Sequence, residues 1–205
     1  MAVVESMDDV GLIAPSRCRG WSRADLLVHV HLGLQELLVG IHAPSDDAAD
    51  TDAATYWKGE VPTNDAAADE LDAVRFVQRV ALAYRRPTGI VGHMKATAAA
   101  VGQAAQTLAP GSLRFQGHVM TTGNFMAIWA VELCVHHLDL ACTGDRPTPE
   151  VLALTRTTTE SLAGAPFPQR WDDVHVALLG AGRVQATPDE LAELREVALS
   201  LPVMS

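Results

Sequence analysis

The stretch of sequence that decides the fold reads Val131-Glu132-Leu133-Cys134-Val135-His136-His137-Leu138-Asp139-Leu140. It places a carboxylate and an imidazole four residues apart within an otherwise apolar run. At about 100° per residue, Glu132 and His136 lie roughly 40° apart around a helix and face the same side. Two groups that can bind a metal therefore converge where a core residue is expected, and leaving them unpaired would cost free energy.

The surrounding pattern predicts a helix over 122–142, with Thr121 or Thr122 as its N-cap and Gly144 as its C′ residue. One face of this helix carries Phe125, Trp129, Glu132, His136 and Asp139. Taken alone, the pattern also fits an ordinary buried Glu–His hydrogen bond or an exposed polar stripe. A third ligand elsewhere in the chain would favour a metal site over both alternatives.

His29 is the candidate for that third ligand. It lies in a predicted helix that begins with a capping box, Ser22 followed three residues later by Asp25. The face that carries the imidazole consists of Leu26, His29, Gly33, Leu37 and Gly40. The two glycines on it would leave room for a pocket. His31 points roughly 200° away from His29, and His137 lies on another face of the first helix.

Two segments resemble the signature segments of the mycothiol-dependent maleylpyruvate isomerase family, which belongs to the DinB-like metal-binding helical bundles. They read Trp21-Ser-Arg-Ala-Asp-Leu-Leu-Val-His29 and Glu132-Leu-Cys-Val-His136-His-Leu-Asp139-Leu. A tail common in the actinobacterial members resembles Trp171-Asp172-Asp173 and Leu179-Gly180-Ala181-Gly182-Arg183. The resemblance spans roughly residues 15–190. It implies an all-α, DinB-like four-helix bundle with a small C-terminal extension.

The resemblance also implies a ligand set and a cosubstrate. His29, Glu132 and His136 would bind one divalent metal, usually zinc, and an open position on it would serve mycothiol. Coordination chemistry agrees, since two imidazoles and one carboxylate form a three-ligand zinc site, although nickel, iron and manganese accept similar ligands. The metal would lower the pKa of the thiol and hold a thiolate for attack on an electrophile. Asp139 either hydrogen-bonds a ligand residue or is an ordinary polar residue near the helix end.

The chain departs from the family pattern at both ends. Only twenty residues precede Trp21, so we expect a short first helix, compensated by the C-terminal segment or by a partner chain. A short helix there is predicted by Met7, Val10, Leu12 and Ile13. The extra C-terminal domain of the isomerase itself is not expected, which weakens the case for maleylpyruvate as the substrate.

The metal-binding bundle that the resemblance implies would span 1–147, and a helical C-terminal extension is predicted over 148–205. Further helices are predicted over 63–86, 87–108, from Thr148-Pro149 onward, and over 187–199. Extended structure is predicted for 112–120 and for a short strand over 174–178. Positions at the rim or in solvent are predicted for His93, Met94 and Lys95. Tyr56-Trp57 in the loop 46–62 would wall the pocket, whereas Trp21 is expected to be a packing residue.

The composition predicts a cytoplasmic protein. The chain has 205 residues and a net charge of −10, which disfavours nucleic acid as a partner. No N-terminal segment combines basic residues with an apolar run, and no apolar stretch approaches the ~20 residues of a membrane helix. The three cysteines, Cys18, Cys134 and Cys142, form no CxxC pair and are expected to be reduced. Since Cys134 should face away from the metal, a reacting thiol would come from outside the chain.

These features predict a metal-dependent enzyme that uses mycothiol for S-transfer to, or isomerisation of, a small electrophilic substrate. Two alternatives stay open: a metal-dependent hydrolase with metal-bound water in the open position, and a non-catalytic protein whose metal fastens two helices. The expected partners are a small-molecule substrate and, through apolar surface left by the short first helix, a second copy of the chain. Neither nucleic acid nor a membrane is expected as a partner.

Overall fold

A long apolar helix, Arg23–Ile41, lies at the centre of the fold, and three other long helices pack against it. The computed structural model describes residues 1–58, 64–142 and 146–204. The predicted C′ residue Gly144 and the last part of the loop 46–62 therefore lie outside the described residues. The helices are α1 Ala2–Glu5, α2 Asp9–Ile13, α3 Arg23–Ile41, α4 Asn64–Ala83, α5 Gly89–Thr107, α6 Thr122–Asp139, α7 Pro149–Ala163, α8 Asp173–Gly180 and α9 Pro188–Leu194, with short 3-10 helices at Thr55–Lys58 and Arg195–Ser200.

Helix α3 begins at the predicted capping box. The Ser22 hydroxyl accepts the Asp25 N–H, and the Asp25 carboxylate accepts the Ser22 N–H in return. Behind this cap the helix buries leucines against α4, α5 and α6. By length and composition α3 is apolar enough to cross a membrane, so the expectation that no stretch approaches that limit was wrong. Its apolar side chains form part of the central core instead.

A small antiparallel sheet lies against α3 and α6. Its strands are β1 Pro44–Ser45, β2 Ser112–Phe115 and β3 His118–Thr121, in the order β1-β2-β3, with Leu113 opposite Met120. Gln116 and Gly117, at φ 46° and 83°, make the turn between β2 and β3. The prediction of extended structure over 112–120 is confirmed, and the chain is mostly helical rather than entirely α.

The strand predicted over 174–178 is wrong, because this segment is helix α8. The Asp172 side chain accepts the Val174 N–H and caps the helix. Burial does not alternate along the segment, since Val176, Ala177 and Leu178 are all buried. A short apolar run buried on several sides has the same sequence pattern in a strand and in a helix.

The C-terminal helices pack on the outside of α6. Helix α7 begins at Thr148-Pro149, as predicted, and contacts both α6 and α8. The shared hydrophobic cluster consists of Cys134, Leu138, Leu152, Ala177 and Leu178. Helix α9 begins at the predicted capping box of Thr187 and Glu190. The proposed boundary between 1–147 and 148–205 stays a prediction.

The N-terminal segment forms two short helices instead of one long one. Val4 of α1 and Leu12 of α2 are buried in the central core, in agreement with the predicted short helix. Met94 of α5 is also buried in that core, so its predicted position at the rim was wrong. The i±3 and i±4 neighbours of Met94 include Ile90, Val91 and Ala98, which belong to or pack on the same core.

Candidate metal centre

The structure brings His29, Glu132 and His136 together between α3 and α6. The Nε2 atoms of His29 and His136 are 3.1 Å apart. The Glu132 Oε1 atom lies 3.0 Å from His136 Nε2 and 3.5 Å from His29 Nε2. We refer to these three residues as the ligand triad. Its three nearest polar atoms converge on one point from two helices that are distant in sequence.

The i, i+4 spacing on α6 supplies two members of the ligand triad, and α3 supplies the third. The Thr121 hydroxyl accepts the Asn124 N–H and caps α6, which fixes where the helix begins. Gly33 and Gly40, which follow His29 on α3, line a cavity beside the triad, as expected. A Cβ atom at Gly33 would lie 3.0 Å from Trp129, and one at Gly40 would lie 2.5 Å from Phe125. The glycines therefore also let α3 pack closely against the aromatic face of α6.

The donor atoms of the triad fit a tetrahedral metal. Metal–ligand bonds of about 2.0–2.1 Å at tetrahedral angles separate neighbouring donor atoms by roughly 3.3 Å. The separations of 3.0, 3.1 and 3.5 Å lie around this value. Exposed fractions of 38% for the His29 side chain and 28% for Glu132 leave the triad open on one side. Three ligands with an open fourth side are the arrangement of a catalytic rather than a structural zinc site.

A chain of hydrogen bonds orients His136 through Nδ1, the ring nitrogen that faces away from the triad. Its Nδ1 atom lies 3.1 Å from Asp139 Oδ2, and the Arg183 Nε–H donates to Asp139 Oδ1 over 2.9 Å. The Cys18 thiol donates to Asp139 Oδ2 at 3.2 Å. Asp139 is fully buried, so these partners stabilise its charge. The predicted interaction of Asp139 with a ligand residue is therefore present in the structure.

The charges of the triad stabilise each other. Burial would raise the pKa of Glu132, but its hydrogen bonds with His136 and His29 outweigh burial and hold the pKa well below its usual range. Burial would lower the pKa of His136, yet its hydrogen bonds with Asp139, Cys18 and Glu132 raise the pKa well above the usual value. A neutral imidazole has one N–H and cannot donate to carboxylates on both sides. Either a second proton or a cation must therefore lie between His136 and Glu132.

The triad lies between two cavities, because His29, Glu132 and His136 line both of them. The larger cavity has a volume of about 970 Å³ and is walled by Tyr56 and Trp57, as predicted. The smaller cavity, of about 490 Å³, is lined by Cys18, Arg19, Trp21 and Arg183. The Trp21 ring lies 5.3 Å from the His29 ring, so Trp21 shapes this cavity as well as packing. Both volumes suit small molecules.

The comparison with known families now bears on this geometry. Residues 1–141 match the family model described as the mycothiol maleylpyruvate isomerase N-terminal domain. The chain belongs to this family. Searches of curated proteins and of solved structures gave no match. The matched residues include the complete ligand triad and Asp139, whereas Arg183 lies beyond them.

In this member of the mycothiol maleylpyruvate isomerase N-terminal domain family, a second group of side chains can also hold a metal. Cys18, His136 and Asp139 place one potential ligand atom each within 4.8 Å of one another, as the ligand triad does. This group shares His136 with the triad. We regard Cys18 and Asp139 as the groups that support His136, because Asp139 already accepts hydrogen bonds from Cys18 and Arg183.

The sequence did not predict that Cys18 and Arg183 lie at the candidate metal centre. Cys18 precedes the Trp21 segment, and Arg183 ends the tail that carried part of the family resemblance. A buried acid at Asp139, three residues beyond a candidate ligand, was a signal that a cation must pair with it. Nothing in the local pattern identifies which of the chain's arginines that is.

The other histidines near the triad in sequence lie elsewhere. His31 is buried, its Nε2 atom lies 3.2 Å from Gln35 Nε2, and its ring packs 4.4 Å from that of His93. Within the described part of the chain, neither His31 nor His137 belongs to a group that could hold a metal. Cys134 packs in the cluster with α7 and α8, as its position on the helix predicts.

Proposed function

We propose that this protein is a mycothiol-dependent metalloenzyme that transfers the thiol to, or isomerises, a small electrophilic substrate. One observation carries the proposal: two imidazoles and one carboxylate converge, at the separations of metal ligands, on a point that borders two cavities. Membership of the mycothiol maleylpyruvate isomerase N-terminal domain family supports the choice of thiol.

The metal would be held by His29, Glu132 and His136. Zinc suits this donor set best, and nickel, iron or manganese are the other candidates. When bound, the metal supplies Lewis acidity that lowers the pKa of a coordinated thiol. The structure supports the assignment because His136 faces carboxylates at both ring nitrogens, an arrangement that a cation beside Nε2 would neutralise.

The surrounding side chains would orient the ligands and shape the reaction site. Asp139 accepts the Nδ1–H of His136 and thereby directs Nε2 toward the triad. Burial, together with the charges of Glu132 and Glu36, raises the pKa of Tyr56 to about 12. Its hydroxyl therefore stays protonated and donates to Gln116 Oε1 over 2.8 Å. Tyr56 and Trp57 would limit the access of water from the outer side.

We further propose that α3, α4, α5 and α6 form the DinB-like four-helix bundle, with α7 to α9 as the extension. The contacts of α3 with the other three long helices support this arrangement. A cytoplasmic location is proposed from the three free cysteines, since thiols stay reduced in that compartment. A homodimer is proposed from the exposed Val10 and Ile13 on α2 and Leu82 on α4.

Metal analysis of the purified protein, followed by calorimetric titration with mycothiol, tests the proposal. We expect one metal per chain and a thiol affinity that disappears in the metal-free protein. Metal without thiol binding would contradict the proposal and favour the hydrolase or a metal that merely fastens α3 to α6. Absence of metal from protein refolded with zinc, nickel, iron and manganese in turn would contradict all three.

A further inference from the structure

The larger cavity differs from the smaller one in its charge. In the larger cavity, the apolar side chains around the triad include Val39, Phe76, Phe115, Ile128, Trp129 and Leu133. The smaller cavity instead carries two guanidinium groups, those of Arg19 and Arg183. An apolar wall rejects a charged ligand because the desolvation of the charge is not repaid. The two sides of the triad thus favour ligands of different chemistry.

The polar groups of the larger cavity already bind one another. Tyr56 donates to Gln116 Oε1 at 2.8 Å, and the Gln116 amide donates to Glu36 Oε2 at 3.2 Å. Apart from its histidines, the only cation among the described residues that line this cavity is Arg114, which forms an ion pair with Asp47. An anionic substrate would therefore meet no unpaired cationic side chain in this part of the chain.

Two indole groups in the same wall lack hydrogen-bond partners. Within the described residues, the Nε1 atoms of Trp57 and Trp129 are buried and unpartnered, and both side chains line the larger cavity. Trp129 as a whole is 7% exposed. Because the buried Nε1 atoms are closed to the cavity, the tryptophan surface that a ligand meets consists of carbon atoms.

We propose that the larger cavity binds the electrophilic substrate, and that this substrate is uncharged and mainly apolar. The volume of about 970 Å³ accommodates a body of one or two fused rings. Val39 and Phe76, which are 72% and 54% exposed, form an apolar mouth through which such a molecule enters. Naming the ligand as the electrophile rests on the proposed function, whereas its chemistry rests on the cavity.

Calorimetry with matched probes tests the chemistry of the cavity. The probes are acetylnaphthalene, which is uncharged, and naphthoate, of the same size but anionic. We expect the metal-free full chain, in which no metal can coordinate the naphthoate carboxylate, to bind acetylnaphthalene about tenfold more tightly than naphthoate. Equal or tighter binding of naphthoate overturns the proposal.

Variants locate the binding site. Val39→Glu and Phe76→Glu place a carboxylate at the mouth and should each weaken acetylnaphthalene binding about tenfold. Leu199→Glu, at an exposed apolar position that does not line either cavity, is the matched control and should bind as the wild type does. Wild-type affinity in both mouth variants would overturn the assignment of the cavity.

The probes separate this proposal from the proposed function. Neither of them consumes thiol, so their affinities do not depend on mycothiol turnover. A protein that binds acetylnaphthalene in the expected order but lacks thiol activity would refute the proposed function alone. A protein with thiol activity that prefers naphthoate would refute the present inference alone. Circular dichroism of each variant checks the fold, which exposed positions such as Val39 should leave intact.

Discussion

Arg183 donates through Nε to Asp139 Oδ1 over 2.9 Å, across 44 residues of sequence. This bond connects the segment after α8 to the acid that orients His136. Burial would lower the pKa of Arg183, but its hydrogen bond and charge interaction with Asp139 raise it. The metal centre proposed for the α3–α6 interface is therefore supported by a residue outside the family-matched region 1–141.

We predict that removal of any member of the ligand triad abolishes stoichiometric metal binding. His29→Ala, Glu132→Ala and His136→Ala each leave two donors, and a three-ligand site seldom retains zinc after such a loss. Elemental analysis of the purified variants measures the effect. His137→Ala and His31→Ala are the matched controls and should keep the metal, since neither side chain belongs to the triad. Loss of metal from His137→Ala with retention in His136→Ala would contradict the assignment.

We predict that Asp139 tunes the metal affinity without binding the metal. Asp139→Asn keeps the size of the side chain but weakens the hydrogen bond with His136, so zinc affinity should fall about 10–100-fold. A competition assay against a chelator gives the value. Arg183→Gln should weaken zinc binding in the same direction, through Asp139. Unchanged zinc affinity in both variants would mean that the chain of hydrogen bonds does not orient His136.

The stability of the protein in acid should depend on Asp139. Burial would raise the pKa of Asp139, but hydrogen bonds from His136 and Arg183 outweigh it and hold the folded-state pKa below the ordinary value of 3.8. A group with a lowered folded-state pKa stabilises the fold above its unfolded-state pKa. That stabilisation is lost as pH falls through the folded-state pKa.

Urea unfolding of the metal-free protein between pH 2 and 7 checks this expectation. Asp139→Asn should lower the free energy of unfolding at pH 7 by on the order of 3 kcal/mol, because it leaves a partly buried Arg183 without its charged partner. The difference between wild type and variant should shrink below about pH 4. A difference that stays constant across this range would show that the Asp139 charge is not the stabilising group.

We predict that the reacting thiol comes from outside the chain. Cys134→Ser and Cys142→Ser should retain thiol-transfer activity, since Cys134 packs against α7 and α8 and Cys142 donates to the Leu140 carbonyl. Activity assays with mycothiol at equal metal content measure this. Cys18→Ser is the informative comparison, because Cys18 alone of the three lines a cavity beside the triad. Activity abolished by Cys134→Ser would contradict an external thiol.

We predict a homodimer that buries the apolar side chains of α2. Val10 and Ile13 are 71% and 61% exposed in the single chain. A second copy that packs on α2 would remove this apolar surface from water. Light scattering across a dilution series should give twice the chain mass of 21.8 kDa at high concentration. Val10→Glu should shift the equilibrium toward the monomer. A wild-type protein that stays monomeric at high concentration would favour coverage of the core by the chain's own α7 and α8.

The candidate site could be predicted from sequence where helix geometry alone fixes the outcome. Glu132 and His136 share a face because residues four apart must do so on a helix, and Ser22 and Asp25 mark a helix start through bonds within four residues. The third ligand came from the family resemblance and from the face that carries His29. These features depend on interactions between near neighbours, which a single segment specifies.

Only the tertiary structure decided which distant groups meet. Arg183 and Cys18 both contact Asp139, and the Trp129 ring fills the space beside Gly33. Each of these contacts joins distant segments of the chain, and no local pattern fixes how close such segments lie. Helix α8 was mistaken for a strand because a short run buried on several sides lacks the periodicity that separates the two. The sequence alone determined the faces of the helices, and packing determined which faces touch.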